Sequence, residues 1–292
     1  MSAVLPGDVG RRVLGPFADA RAVAALNEEL GTDRPLITQY VDWIGGVLTG
    51  DFGESQAFRR PVGEVIGPAI KNSAKLAVLA FIIVVPLAIF GGVLAALHEG
   101  NFRDRFITVG GLPATAIPEF VWAVVLIIIF SLGLGLLPST AQSPEGASIF
   151  TQVEYLLLPA LCLVFVLFGY IARMARAGTV EALDADYTRT AIIKGLPQRT
   201  VLRKHVLRNS LLPTIAVVAT QIGYLFGGLV IVEVIFNYNG LGRVMYQAAQ
   251  QKDFPLLQSA VLIVGCVYLI ATLIADILYS VLNPRVRLGA AE

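Results

Sequence analysis

Few residues in this chain are of types and spacings that do covalent chemistry. His98 and His205 are its two histidines, and they are not spaced as metal ligands or as an acid–base pair. Cys162 and Cys266 each sit inside an apolar run, where they offer neither a disulfide framework nor a ligand set, so they read as packing residues. No glycine-rich loop followed by Lys-Ser/Thr cradles a phosphate, and neither a His-Glu-x-x-His motif nor a nucleophile elbow is present. The ionisable residues that stand out do so by position. Glu233 lies within an apolar run, and Glu119 follows Pro118 at the head of another. An ionisable group at membrane depth faces a partner or a water-filled cavity, so both are candidates for lining a path. The other reading puts Glu233 near its helix end, hydrogen-bonded to the Asn237–Arg243 turn, and Glu119 at the membrane interface.

The elements that carry these residues can be read from hydropathy. The 292 residues are 56% hydrophobic and 15% charged, and the mean hydropathy of +0.73 is too apolar for an ordinary soluble domain. A formal net charge of +1 argues against a nucleic-acid partner. Crossing a bilayer takes about 20 mostly apolar residues as a helix. Five runs qualify: Leu76–Leu97, Leu112–Leu137, Tyr155–Met174, Leu211–Phe236 and Leu256–Leu282. Helix is the expected form, because an open sheet leaves backbone groups unpaired in lipid.

Lys and Arg collect on the cytoplasmic side of such proteins. Arg173 to Arg208 carries eight of them, whereas Pro138 to Glu154 carries none. The first segment is therefore expected inside, together with Arg103, Arg105 and the tail bearing Arg285 and Arg287. Asn237–Pro255 is then outside, as is Met1–Lys75, a long polar segment with no apolar run before it to carry it across. Either the true start lies upstream and supplies a first helix, or these residues remain inside.

Within the basic loop, Glu181–Lys194 is rich in helix formers, Asp184 and Asp186 suit its first turn, Gly195 its end, and Pro197 bars continuation. A short surface helix is expected there. Arg199–Asn209 places Val201, Leu202, His205, Val206 and Asn209 on one side and Arg203, Lys204 and Arg208 on the other, as a helix along the membrane face would. The ordered residues Asp186-Tyr187-Thr188-Arg189-Thr190-Ala191, Lys194-Gly195-Leu196 and His205-Val206-Leu207-Arg208-Asn209-Ser210-Leu211-Leu212-Pro213 resemble the EAA loop of ATP-binding-cassette importer permeases in its peptide-transporter form. The resemblance implies that Asp186, Tyr187, Arg189, Thr190, Ala191, Lys194 and Gly195 belong to a coupling helix docking on a cytoplasmic ATPase. Gly195 matches the loop's glycine and Ala191 its second alanine. Arg189 stands where the general pattern is acidic, as in the peptide branch.

The resemblance covers essentially the whole chain. Leu5-Pro6-Gly7-Asp8, Glu29-Leu30-Gly31, Asp33-Arg34-Pro35-Leu36, Gln39-Tyr40 and Gly50-Asp51-Phe52-Gly53 are similar to the family's external segment after its first span. Val232-Glu233-Val234-Ile235-Phe236, Gly240-Leu241-Gly242-Arg243, Asp253-Phe254-Pro255 and Asn283-Pro284-Arg285-Val286-Arg287 are similar to its final third, with Asn283 where Asp is usual. The implied fold is an all-α, polytopic importer transmembrane domain, with five spans visible and the first of the six-span pattern missing. Residues 1–75 form an extracytoplasmic segment, and residues 76–292 form the permease core with its coupling loop at about 175–210.

The resemblance also implies partners: a second permease, two ATPases that carry ATP and Mg²⁺, and an extracytoplasmic binding protein, all at a bacterial inner membrane with the C-terminus cytoplasmic. The permease itself needs no cofactor. Gly223 and Gly227 leave a helix face nearly free of side chains, toward either the second permease or this chain's own helices. Asp276 is expected to pair at the interface near Tyr279 and Arg285. Di- or oligopeptides are the implied substrate, with nickel, haem-related molecules, glutathione and sugars carried by relatives. A self-contained carrier would need no coupling loop, and a purely structural subunit would be dispensable for transport.

Overall fold

The computed structural model describes residues 9–282 apart from 16, 30 and 32. Over these residues the regular elements are helices but for one short hairpin. In order come α1 (Val9–Leu14), α2 (Ala20–Glu29), α3 (Leu36–Thr49), the strands β1 (Glu54–Ser55) and β2 (Arg60–Pro61), α4 (Val62–Leu97), α5 (Phe102–Ala116) and α6 (Glu119–Leu126). A π-helical stretch, Ile127–Gly133, continues α6. Next are α7 (Ile149–Asp184), α8 (Asp186–Ile193), α9 (Gln198–Thr200), a second π-helical stretch (Val201–Val206), α10 (Leu207–Ile235), α11 (Leu241–Gln250) and α12 (Phe254–Leu282).

The chain forms two compact units, Met1–Ala69 with Val244–Ile263, and Ile70–Arg243 with Val264–Glu292. The first is organised around a buried carboxylate. Asp253 accepts from Ser55 Oγ at 2.5 Å, from Ala57 N at 3.1 Å and, through its other oxygen, from Leu256 N at 3.2 Å. Three donors on one buried carboxylate satisfy it. The β1–β2 hairpin, paired antiparallel with Ser55 opposite Arg60, presents two of them.

The second unit is built on α7, a 36-residue helix against which α5, α6 and α10 pack. Its core joins Leu76, Val84 and Ala88 of α4, Leu158, Leu167 and Ile171 of α7, and Leu225, Leu229 and Val232 of α10. Trp122 stacks on Phe165 with centroids 4.3 Å apart, and its indole N–H donates to Ala114 O. Where α4 meets α7 the contact is backbone to backbone, with Gly92 against Ala172 and Ala175. Small residues let membrane helices approach this closely, because lipid supplies no hydrophobic drive between them and contact area must do the work.

Three helical segments among the described residues are long and apolar enough to cross a membrane: Val62–Leu97, Ile149–Asp184 and Phe254–Ile277. The bent pair Phe102–Ala116 and Glu119–Gly133 makes a fourth if counted as one span. The single expected run Leu112–Leu137 is therefore corrected. Helix begins at Phe102, breaks at Ile117–Pro118 and ends at Gly133. Proline has no N–H to donate and pushes its predecessor out of the helical region, which accounts for the break. α4 starts well before Leu76 and ends at Leu97, and α7 runs past both ends of Tyr155–Met174, since hydropathy marks the lipid-embedded part and not where helical hydrogen bonding stops. Ser148 begins α7 by accepting from Thr151 N at 3.2 Å. The run Leu211–Phe236 lies in the 29-residue α10, apart from its last residue.

Candidate functional site

The basic loop folds differently from the single helix expected over Glu181–Lys194. Glu181 to Asp184 are the end of α7, Ala185 is extended (φ −67, ψ 146), and a separate helix, α8, starts at Asp186. The cause of the break is local. Helix ends leave carbonyls without partners, and Thr188 Oγ1 donates to Ala182 O at 2.7 Å, taking one of them and turning α8 back toward α7. Thr188 and Ala191 are buried, and Ala191 packs with Ala182, Val201 and Val206.

This burial faces the rest of α8 outward. Ile193 is 85% exposed and Ile192 60%, with Tyr187 and Leu196 also open. Around them lie the exposed Asp186, Arg189, Thr190, Lys194 and Gly195. Gly195 closes the helix at φ +74, donating its N–H to Ile192 O, while Leu196 N donates to Ala191 O. That paired stop needs a left-handed residue, a conformation glycine adopts without strain. Of the expected coupling residues, Ala191 thus holds α8 to its own chain, and the others form its exposed surface.

Arg199–Asn209 is not a helix of its own. It runs through α9 and the Val201–Val206 stretch directly into α10. Val201 and Val206 are buried and Arg203, Lys204 and Arg208 exposed, as the pattern requires. Asn209 departs from it: the residue is exposed and its amide donates to His205 O at 2.9 Å.

Glu233 occupies a second arrangement. Its carboxylate is fully buried and accepts from Ser73 Oγ at 2.5 Å, Gly242 N at 2.8 Å and Arg243 N at 3.2 Å. Ser73 Oγ in turn accepts from Leu241 N at 2.8 Å. Glu233 and Ser73 together satisfy the first free N–H groups of α11, where a negative charge is favoured. Of the two readings of Glu233, its surroundings are those of the turn. Gly240 lies so close to the carboxylate that a Cβ there would overlap Glu233. Tyr238 OH donates to Asn72 O and Asn72 Nδ2 to Asn239 O, tying the same loop to α4.

Glu119 is half-buried at the first turn of α6. Gly223 and Gly227 are in α10, but what surrounds them lies outside the described residues, as does Arg285. Asp276 is exposed on α12. Sequence reasoning missed one cluster, having counted Arg176 only toward the basic excess. Arg176 of α7 donates to both oxygens of Asp104 at 2.6 and 2.8 Å and to Glu99 at 3.3 Å. Two acids beside two basic residues in the short stretch Glu99–Arg105 were the available signal.

The fold matches the MetNI methionine ABC transporter in an inward-facing conformation, with TM-score 0.57 and 15% identity over 73% of this chain and 92% of that one. An amino acid ABC transporter solved with histidines matches with TM-score 0.51 and 18% identity over 76% and 94%. Residues 88–288 match the family described as binding-protein-dependent transport system inner membrane component, and the chain belongs to that family. It is 33% identical over 284 residues to the glutathione transport system permease protein GsiC of Escherichia coli strain K12, covering 97% of this chain and 90% of the relative. The Salmonella typhimurium protein of that name is 35% identical over the same shares. The chain is a multi-pass inner-membrane permease of an ABC importer.

Proposed function

We propose that this permease forms part of a translocation path for di- or oligopeptides, glutathione-like tripeptides among them, and that α8 couples the path to cytoplasmic ATPases. The exposed apolar face of α8 carries the coupling claim. Tyr187, Ile192, Ile193 and Leu196 lie exposed close together in a charged loop, as a surface that a partner covers would. The peptide class is supported by similarity to permeases named for glutathione, itself a tripeptide. In this reading the basic loop and the C-terminus are cytoplasmic. A second permease completes the path, and an external binding protein delivers substrate to the opposite face. ATP and Mg²⁺ bind on the ATPases, and their contribution is to shift a two-state equilibrium of the permease by differential affinity. The bound α8 moves with them.

Ile193→Asp leaves the buried side of α8 untouched. Removing that apolar side chain from an interface costs about 2 kcal/mol, or about thirtyfold in affinity. The expected result is loss of ATPase co-purification with the permease still folded in the membrane. Retained association with full transport would remove the coupling claim. For substrate, the binding-protein-stimulated ATPase rate of proteoliposomes should rise with glutathione or dipeptides. Stimulation by neither, with the complex active on another solute, would overturn the peptide reading.

A further inference from the structure

We propose that Asp104 and Arg176 form a positioning joint that carries the displacement of α8 to the turn between α4 and α5. This rests on the coupling reading above and adds the route by which movement leaves the loop. The carboxylate of Asp104 is saturated: besides both Arg176 bonds, it accepts from Gly100 N at 2.9 Å and Thr108 Oγ1 at 3.0 Å. It is 6% exposed. Gly100 lies in the α4–α5 turn, so this turn, the first turns of α5 and the last third of α7 meet on one side chain. Glu99, in the same turn, takes a further Arg176 bond.

The remainder of α7 beyond Arg176 makes the arrangement a lever. From Arg176 to Asp184 α7 is unbroken helix, eight residues or about 12 Å. At its end Thr188 and Ala191 lock α8 to Ala182 by a hydrogen bond and by packing. A displacement of α8 is therefore passed to α7 as a rigid body. How α7 passes it on depends on the contact. The surfaces of α4 and α5 that meet α7 carry small residues there, Gly92 on Ala172 and Ala175 and Gly111 beside Gly169, with the Phe168 ring lying against Gly91 and Gly111. Packed helices with such surfaces slide by shear. A bidentate guanidinium–carboxylate fork is directional and resists that slip. The ion pair thus adds a directional link to the packing, and that link makes the α4–α5 turn move with α7.

The test is made on the assembled complex, with second permease, ATPases and binding protein, in proteoliposomes. Asp104→Asn keeps the volume and the packing but loses the charged fork. Its ATPases are expected to co-purify normally and its ATP hydrolysis to persist, while substrate transported per ATP falls about tenfold, within the range of allosteric coupling. Arg176→Lys keeps a charge but cannot fork, and is expected to fall similarly. Wild-type transport per ATP in either variant overturns the joint. A loss of transport that merely tracks the amount of complex recovered also overturns it, as the signature of a stability role. Should Asp104→Asn fail to assemble, Arg176→Lys decides alone. Failure of the α8 docking reading is separate and visible, since Ile193→Asp would then retain its ATPases.

Discussion

Glu233→Ala is expected to lower the thermal unfolding temperature of the detergent-solubilised permease by several degrees. The truncation leaves Gly242 N and Arg243 N without an acceptor and Ser73 Oγ without one for its proton. Each orphaned buried donor costs about 1–3 kcal/mol, and a turn that stays packed cannot admit enough water to replace them all. A total of about 3–5 kcal/mol is the expected loss. Glu233→Gln keeps the shape and one carbonyl acceptor, so its loss should be distinctly smaller. The measurement is thermal unfolding tracked by size-exclusion fluorescence, with the two variants side by side. Equal behaviour of Ala and wild type would mean that the loop Asn237–Arg243 is held by Tyr238 and Asn72 alone. The carboxylate would then be available for a role in the path. The arrangement is also sensitive at Gly240, where any β-carbon meets Glu233.

Gly92→Val is expected to be more disruptive still. A β-carbon at residue 92 would overlap the carbonyl oxygen of Ala172 and stand 2.7 Å from Ala175 Cβ and 2.9 Å from Arg176 N. Two of those three atoms are backbone, so no rotamer change relieves the contact and α4 must move off α7. Overpacking costs about 1–3 kcal/mol when neighbours can adjust, and here the upper end or beyond is expected. Loss of monodisperse permease after solubilisation is the predicted readout, with Gly92→Ala intermediate. A stable, fully assembled Gly92→Val complex would show that the two helices are not held at the observed spacing. The position also lies beside Arg176, so any viable variant should affect transport per ATP as well as stability.

The legibility of the fold in the residues varies by element. Apolar runs announce helices wherever lipid contact demands uniform hydrophobicity, and Leu76–Leu97 and Tyr155–Met174 lie inside α4 and α7. Their true lengths are not legible, because a helix leaving the bilayer keeps its hydrogen bonds while its composition turns polar. The break at Ile117–Pro118 is signalled by proline, yet hydropathy overrides it, since a window average cannot register one missing N–H. The α8 region is legible as a short helix ended by Gly195. Its start is not, because Asp184 and Asp186 both suit a first turn, and only the Thr188–Ala182 bond across the break decides between them.

The chain's own composition determined that it is a helical membrane protein, and the order of its motifs carried the resemblance to importer permeases. Those properties depend on solvent and on local spacing, both of which can be read along one dimension. Only the tertiary structure decided what Glu233 and Arg176 do. Glu233 draws its donors from Ser73 and from Gly242 and Arg243, and Arg176 reaches Asp104, 72 positions away. A charge in a sequence shows that a partner is needed, whereas which partner it meets depends on how closely helices approach, and that is set by small residues such as Gly92 packing in three dimensions.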